Sequence, residues 1–256
     1  MLPLSVFIIT KNEKKNLPRC LEEIKGLADE IIVLDSGSTD QTESISKKYG
    51  AKFSVRTFDG FGQQKYAAEQ LCKNDWVLNL DADEFVTEKL KTEIRGFLSG
   101  DLCQKYDGAR LKTVGVYPHH TSPRPLADYH NYIRLYNKTV LHFPQHPTHD
   151  AVIARDESRI YQFSGIALHY AFESLDALEQ KARSRTKFYF EHEKRGKFLK
   201  NLIRLPFEYL WSFFKCYILR RQFTGGRYGL KNAMIYAKYR HLRIAQRVFN
   251  RCFIKE

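Results

Sequence analysis

Short apolar runs that stop abruptly in polar clusters recur through the first third of the chain. Leu4-Ser5-Val6-Phe7-Ile8-Ile9-Thr10, Glu30-Ile31-Ile32-Val33-Leu34 and Trp76-Val77-Leu78-Asn79-Leu80 are rich in β-branched and aromatic residues and show no polar alternation. That pattern predicts strands covered on both faces. A further strand is expected over residues 51–55. Between these runs, Leu17, Cys20, Leu21, Ile24 and Leu27 recur at three- and four-residue steps and predict a helix. A second helix is expected through residues 45–49, capped by Thr39 or Asp40, and a third over residues 60–71, carrying Gln63, Gln64 and Lys65. Alternation of this kind implies an α/β fold with a mostly parallel sheet flanked by helices. Residues 106–116 and 132–136 predict strands that complete the sheet, and the proline-rich loop between them, Tyr117 to Pro125, is a candidate lid.

The last third changes character. Residues 173–195 carry Leu175, Leu178, Ala182, Phe188 and Phe190 among many charges and predict a helix. After them, Lys197, Asn201, Arg204, Glu208, Ser212 and Lys215 form a thin polar stripe on an otherwise aromatic and aliphatic helix interrupted by Pro206. Such a helix either packs on the sheet or lies on an anionic membrane surface. A basic helix is expected over residues 231–251. The expected organisation is therefore a domain over residues 1–172 followed by a helical, basic, membrane-associating extension over residues 173–256.

The polar ends of the strands carry the candidate chemistry. Trp76 to Leu80 runs into Asp81-Ala82-Asp83-Glu84, and open α/β sheets bind ligands at the carboxyl ends of their strands. Because side chains alternate along an extended segment, Asp81 and Asp83 can face one side and hold a divalent cation, or a metal and a ribose. Strand two stops at Asp35-Ser36-Gly37-Ser38-Thr39-Asp40, where Gly37 permits a turn with positive φ. Neither a dinucleotide-binding glycine fingerprint nor a Walker-type loop is present, so a phosphate needs another counter-charge, a metal at Asp81/Asp83 or the ammonium of Lys65.

Composition narrows the classes. With 43% hydrophobic residues among 256, the chain is globular. Its net charge of +13 is uneven: residues 181–256 hold 20 lysines and arginines against 4 acidic residues, so the body is near neutral and the tail strongly basic. That asymmetry fits a catalytic body with a tail that meets an anionic surface. Five scattered cysteines without a Cys-x-x-Cys pair fit a reducing cytosol and no structural zinc. The apolar N-terminus reads as a strand, and no window approaches the roughly 20 uncharged apolar residues of a membrane span.

Taken together, Thr10-Lys11-Asn12-Glu13, Asp35 to Asp40, Phe58-Asp59-Gly60-Phe61-Gly62-Gln63-Gln64-Lys65 and Leu80-Asp81-Ala82-Asp83-Glu84 resemble the GT-A fold family 2 glycosyltransferases. Within that family the likeness is to lipopolysaccharide inner-core heptose β-1,4-glucosyltransferases. It covers about the first 170 residues and, more loosely, Tyr217 to Phe223 and Gly225 to Leu230. The resemblance implies an inverting hexosyltransferase of the cytoplasm, peripheral on the inner face of a bacterial inner membrane. It would move glucose, or galactose, from a UDP-sugar to a lipid-linked heptose with Mg²⁺ or Mn²⁺. It also implies donor contacts from Thr10, Asn12, Glu13, Asp35, Ser38, Lys65 and Asp81, with Glu13 and Asp35 at the uracil and ribose. Asp83 would bind the metal, with His169, at the end of the apolar run 165–169, as a further ligand. Asp150 would be the catalytic base, where the resembled enzymes usually carry Glu after His.

Other readings of single residues stay open at this stage: Glu13 and Lys65 as solvated surface charges, Asp150 as a helix cap, His169 as a core-edge histidine. Two further functions are compatible with the sequence. A polyprenyl-phosphate sugar synthase would use the same donor site on a phosphate acceptor. A nucleic-acid-binding protein would use the basic tail, but leaves the acidic strand ends unexplained, and no nucleic-acid partner is expected.

Overall fold

The computed structural model describes residues 1–192, 198–250 and 252–254, and the chain divides into two compact units. The first, Met1–Val114 with Tyr129–His169, is an α/β unit. Its strands are β1 (Leu4–Thr10), β2 (Glu30–Asp35), β3 (Lys52–Val55), β4 (Trp76–Asp81), β5 (Glu84–Val86), β6 (Gly108–Gly115), β7 (Tyr129–Asn137) and β8 (Ile160–His169). Its helices are α1 (Leu17–Ile24), α2 (Thr42–Lys48), α3 (Phe61–Gln70), α4 (Glu88–Ser99) and α5 (Leu102–Lys105). The strands form one sheet in the order β3-β2-β1-β4-β7-β6-β8-β5.

The expected parallel sheet is found in β3-β2-β1-β4, whose pairs are all parallel. Beyond β4 the strands turn antiparallel, at β4–β7, β6–β7 and β5–β8. The sheet is therefore mixed, as expected when the later strands are linked without crossover helices. Burial explains why β1, β2 and β4 read as unbroken apolar runs. Leu4, Val6, Phe7, Ile8, Val33, Val77, Leu78 and Leu80 are all enclosed, with residues of α1 and α3 over the sheet.

Register sets the working edge. Thr10 pairs with Asp35 and Ile9 with Asp81, so the carboxyl ends of β1, β2 and β4 lie side by side. Antiparallel pairing of β5 with β8 puts His169 opposite Glu84, one residue from Asp83.

The second unit, Gly115–Asp128 with Tyr170–Glu256, is helical. It contains α6 (Leu175–His192), α7 (Phe198–Phe214), a π-helical turn at Lys215–Leu219, a 3₁₀ turn at Gln222–Gly225 and α8 (Gly226–Phe249). Within it, α6 and α7 both pack on α8. The expected helical residues 193–195, Lys197 and Arg251 lie outside the described residues.

The sequence expectation kept residues 1–172 together, whereas Gly115–Asp128 belongs to the helical unit. The cause is polar. The Arg124 guanidinium donates to the carbonyls of Arg220 and Arg221 and to Thr224 Oγ1, and the Tyr117 hydroxyl donates to Gln222. The Tyr117 ring also stacks on Tyr228 at 5.7 Å. The proline-rich segment is thus fixed by bonded contacts inside the helical unit.

Candidate active site

The loop after β2 is built around one carboxylate. Asp35 is buried at the strand end, and its oxygens accept from the Gly37 and Ser38 N–H groups at 2.8 and 2.6 Å, from Ser38 Oγ, and from Thr10 Oγ1 at 2.9 Å. Gly37 holds the expected positive φ of 87°. The neighbouring β1 loop is tied to the same turn: the Asn12 N–H donates to Ser38 Oγ at 2.6 Å, and Asn12 Oδ1 accepts from the Thr39 N–H at 2.9 Å. Asn12 itself sits at φ 57°, a left-handed position that asparagine tolerates. The Glu13 N–H donates to Thr42 Oγ1 at 3.0 Å, and the Glu13 carboxylate accepts from Asn16 at 3.1 Å. Thr10, Asn12, Asp35 and Ser38 therefore form one hydrogen-bonded network, in which Asp35 shapes the loop with both oxygens engaged, and Glu13 follows Asn12 on its own partners Thr42 and Asn16.

A second cluster lies at the end of β4. Lys65, on α3, is buried at 2% exposure, so it is not a solvated surface charge. Its ammonium stands 3.1 Å from Asp81 Oδ1 and 3.2 Å from Asp150 Oδ2, over the Phe143 ring. Asp81 also faces the Arg134 guanidinium at 3.4 Å, and Arg134 reaches Glu84 at 3.2 Å and Asn79. Burial opposes ionisation of Asp81, yet the charges of Lys65 and Arg134 overcome it and hold the carboxyl well below the usual carboxylate range. Burial pushes the Glu84 carboxyl above its ordinary value, against the pull of Arg134. Two cations, Lys65 and Arg134, are thus packed together with three carboxylates, Asp81, Glu84 and Asp150, and with Asn79.

Asp83 turns the other way. It is buried, and its Oδ1 lies 3.3 Å from His169 Nε2. Burial works against charge on this imidazole, but the Asp83 carboxylate bonded to it raises its pKa overall. His169 is therefore a half-buried histidine at the end of β8 whose ring is bonded to Asp83, as the core-edge reading expects. Among the described residues no cluster of three or more His, Cys, Asp or Glu side chains could hold a metal.

Asp150 is placed by α3. The Phe61 and Gly62 N–H groups at the start of that helix donate to Pro147 O at 2.9 Å and His146 O at 3.1 Å. Farther along the helix, buried Glu69 accepts from Tyr136 Oη at 2.6 Å and the Phe143 N–H at 3.2 Å, and meets His142 Nδ1 at 2.8 Å. The segment 142–150 is thereby laid along α3, and Asp150 ends beside Lys65, 46% exposed. No helix begins at Asp150, so the cap reading fails. A Cβ at Gly62 would sit 2.4–2.5 Å from the carbonyl oxygens of Pro144, His146 and His149, inside contact distance. Gly62→Ala should therefore displace this segment and cost about 1–3 kcal/mol, as overpacking does. Thermal unfolding reads the loss, and wild-type stability would show that the close approach is dispensable.

Arg134 is the site residue that sequence reasoning missed. Its signal was present as a lone guanidinium between Ile133 and Leu135 in a strand whose other central residues are enclosed. A charge in such a run needs buried partners.

Comparison with known proteins agrees with this geometry. Residues 5–153 match the Glycosyl transferase family 2. An uncharacterized glycosyltransferase of Rickettsia bellii is 38% identical over 255 residues, covering 95% of this chain and 85% of that protein. A lipopolysaccharide core biosynthesis glycosyltransferase, LpsC, of Rhizobium meliloti is 38% identical over 95 residues, 35% of either chain. The crystal structure of S. aureus TarS 1-349 aligns over 98% of this chain and 92% of its own with a TM-score of 0.50 at 14% identity, a likeness of fold. The α/β body with acidic strand ends, the family match over more than half of the sequence and the full-length relatives lead to one assignment: the chain belongs to glycosyl transferase family 2.

Proposed function

We propose that the chain transfers a hexose, glucose in the first instance, from a UDP-sugar to a hydroxyl of a lipid-linked heptose in the lipopolysaccharide inner core, with inversion. The observation that carries the reading is the convergence of Lys65, Asp81 and Asp150 at the end of β4. A buried ammonium between Asp81 and the half-exposed Asp150 supports a donor pocket on the Asp81 side and a base on the other. The heptose acceptor draws support from the sequence motifs and from the partial likeness to the Rhizobium core transferase.

In this reading the loops carrying Asn12 and Glu13 seat the uridine, the Glu13 carboxylate taking a hydroxyl or ring N–H donor, while Asp35, with both oxygens already accepting from Thr10, Gly37 and Ser38, holds the loop in shape instead of meeting the ligand as expected. Asp81, kept ionised by Lys65 and Arg134, accepts from the ribose. Asp150 takes the proton of the acceptor hydroxyl, whose oxygen attacks the anomeric carbon from the face opposite the diphosphate. The bond from that carbon to the β-phosphate oxygen breaks, and UDP departs with the electron pair. Lys65 lies close enough to offset the charge that develops on the leaving group. A divalent cation fits the carboxylate and imidazole of Asp83 and His169, since Mg²⁺ and Mn²⁺ accept few protein ligands and complete their shell with phosphate oxygens and water. When bound it supplies positive charge beside the diphosphate.

A panel of nucleotide sugars in a thermal-shift assay, with and without Mn²⁺, tests the donor half. UDP-glucose should stabilise the protein most, and indifference to every UDP-sugar would remove the proposal. Acceptor competition between heptosylated lipid A and polyprenyl phosphate tests the other half. Asp83→Ala should erase the Mn²⁺-dependent part of the UDP shift while leaving the unfolding temperature without ligand near wild type, and a retained Mn²⁺ increment would exclude the metal role.

A further inference from the structure

Helix α7 is inside out. Its polar residues Asn201, Glu208 and Ser212 are buried, Glu208 at 2% exposure, whereas Leu199, Ile203, Phe207, Leu210, Trp211 and Phe214 face outward, Phe207 and Leu210 at 68% each. A helix on a water-exposed surface has the reverse arrangement. Charge locks this one in place. The Glu208 carboxylate accepts from the Arg204 guanidinium at 2.7 Å, from Arg240 Nε on α8 at 3.1 Å and from Ser212 Oγ at 3.2 Å. The polar stripe is thus satisfied within the helical unit, and the alternative, apolar face inward, is given up. The outward positions advance by one, three or four residues, so they form one continuous stripe, and a contiguous exposed apolar surface marks an interaction site.

The surrounding charge selects the occupant. From Tyr209 through Lys255 the sequence has no acidic residue. Immediately after α7 come Lys215, Arg220, Arg221, Arg227 and Lys231, all exposed except the half-buried Arg220. Tryptophan and phenylalanine on one face, with cations beside it, match the boundary between headgroups and acyl chains of an anionic bilayer. No helix among the described residues is long and apolar enough to cross a membrane, so the match is to a helix lying in the plane. We propose that α7 docks the protein on an anionic phospholipid surface, its apolar face sunk to the acyl boundary and the basic residues that follow among the headgroups. The proposal goes beyond the donor and acceptor chemistry and does not depend on it.

The test uses the full chain and two vesicle preparations, phosphatidylglycerol mixed with phosphatidylethanolamine, and phosphatidylcholine alone. Co-sedimentation is expected with the first and weak with the second, and the emission of Trp211 should shift to the blue, while Trp76, buried in β4, stays unchanged. Phe207→Glu and Leu210→Glu should keep the wild-type unfolding temperature and UDP-sugar hydrolysis but reduce partitioning by roughly tenfold or more. No binding by the wild-type chain, or equal binding to both preparations, would overturn the proposal. So would a wild-type dimer in sedimentation velocity that Phe207→Glu dissociates without any vesicle binding, because a second copy would then be the occupant.

Discussion

Arg134→Leu should lower the free energy of unfolding by about 3–5 kcal/mol, the usual result of removing one partner from a buried ionic cluster. The guanidinium is 7% exposed and is shared by Asn79, Asp81 and Glu84. Leucine fills much of the volume, so the loss comes from leaving Glu84 enclosed with no cation beside it. That origin makes a second measurement decisive. Adding Glu84→Gln to Arg134→Leu removes the stranded charge and should restore a large part of the loss, a coupling that denaturant unfolding of the four proteins measures as a double-mutant cycle. Strict additivity would show that Arg134 stabilises by packing alone.

The second large effect falls on catalysis. Asp150→Asn keeps the shape of the side chain and removes its ability to take a proton, so transfer should fall by about 10²–10⁴-fold, the range for losing a general base. UDP-sugar affinity should change little, because Asp150 lies half-exposed at the margin of the cluster, bonded to Lys65. Steady-state transfer rates beside a calorimetric titration with UDP separate the outcomes. If affinity falls with rate, Asp150 serves to hold Lys65 in place, and the base lies elsewhere.

Much of the α/β body was readable because its central strands are enclosed on both faces, which leaves a compositional mark. β1 has the bounds the sequence implies, and β2 and β4 differ by one residue at the end that carries the aspartate. Helix α3 was placed correctly but its role was not visible, since its enclosed residues include Gln64, Lys65 and Glu69 and no apolar stripe announces which side faces in. Helix α4 lies outside the expected elements although Leu90, Ile94, Phe97 and Leu98 carry helical spacing, because Glu88, Lys89, Lys91, Glu93 and Arg95 break up its apolar stripe. Glu84 was grouped with those carboxylates, whereas it opens β5 and turns toward Arg134, fifty residues later in sequence. Distance in sequence is also why α7 could not be oriented beforehand. Its pattern shows two faces, but which one meets the protein depends on Arg240, a partner on another helix.

One helix governs the spacing of the reacting groups. Gly62 receives the backbone of the 144–149 segment, Lys65 carries the cation between Asp81 and Asp150, and Glu69 grips Tyr136 and Phe143, all within two turns of α3. An α-helix advances about 1.5 Å per residue and hardly stretches, so in the proposed transfer it would work as a ruler between the Asp81 and Asp150 sides of the site. Relatives that accept a different sugar or a different receiving hydroxyl are then expected to differ in side chains along 142–150, while insertions collect away from this ruler.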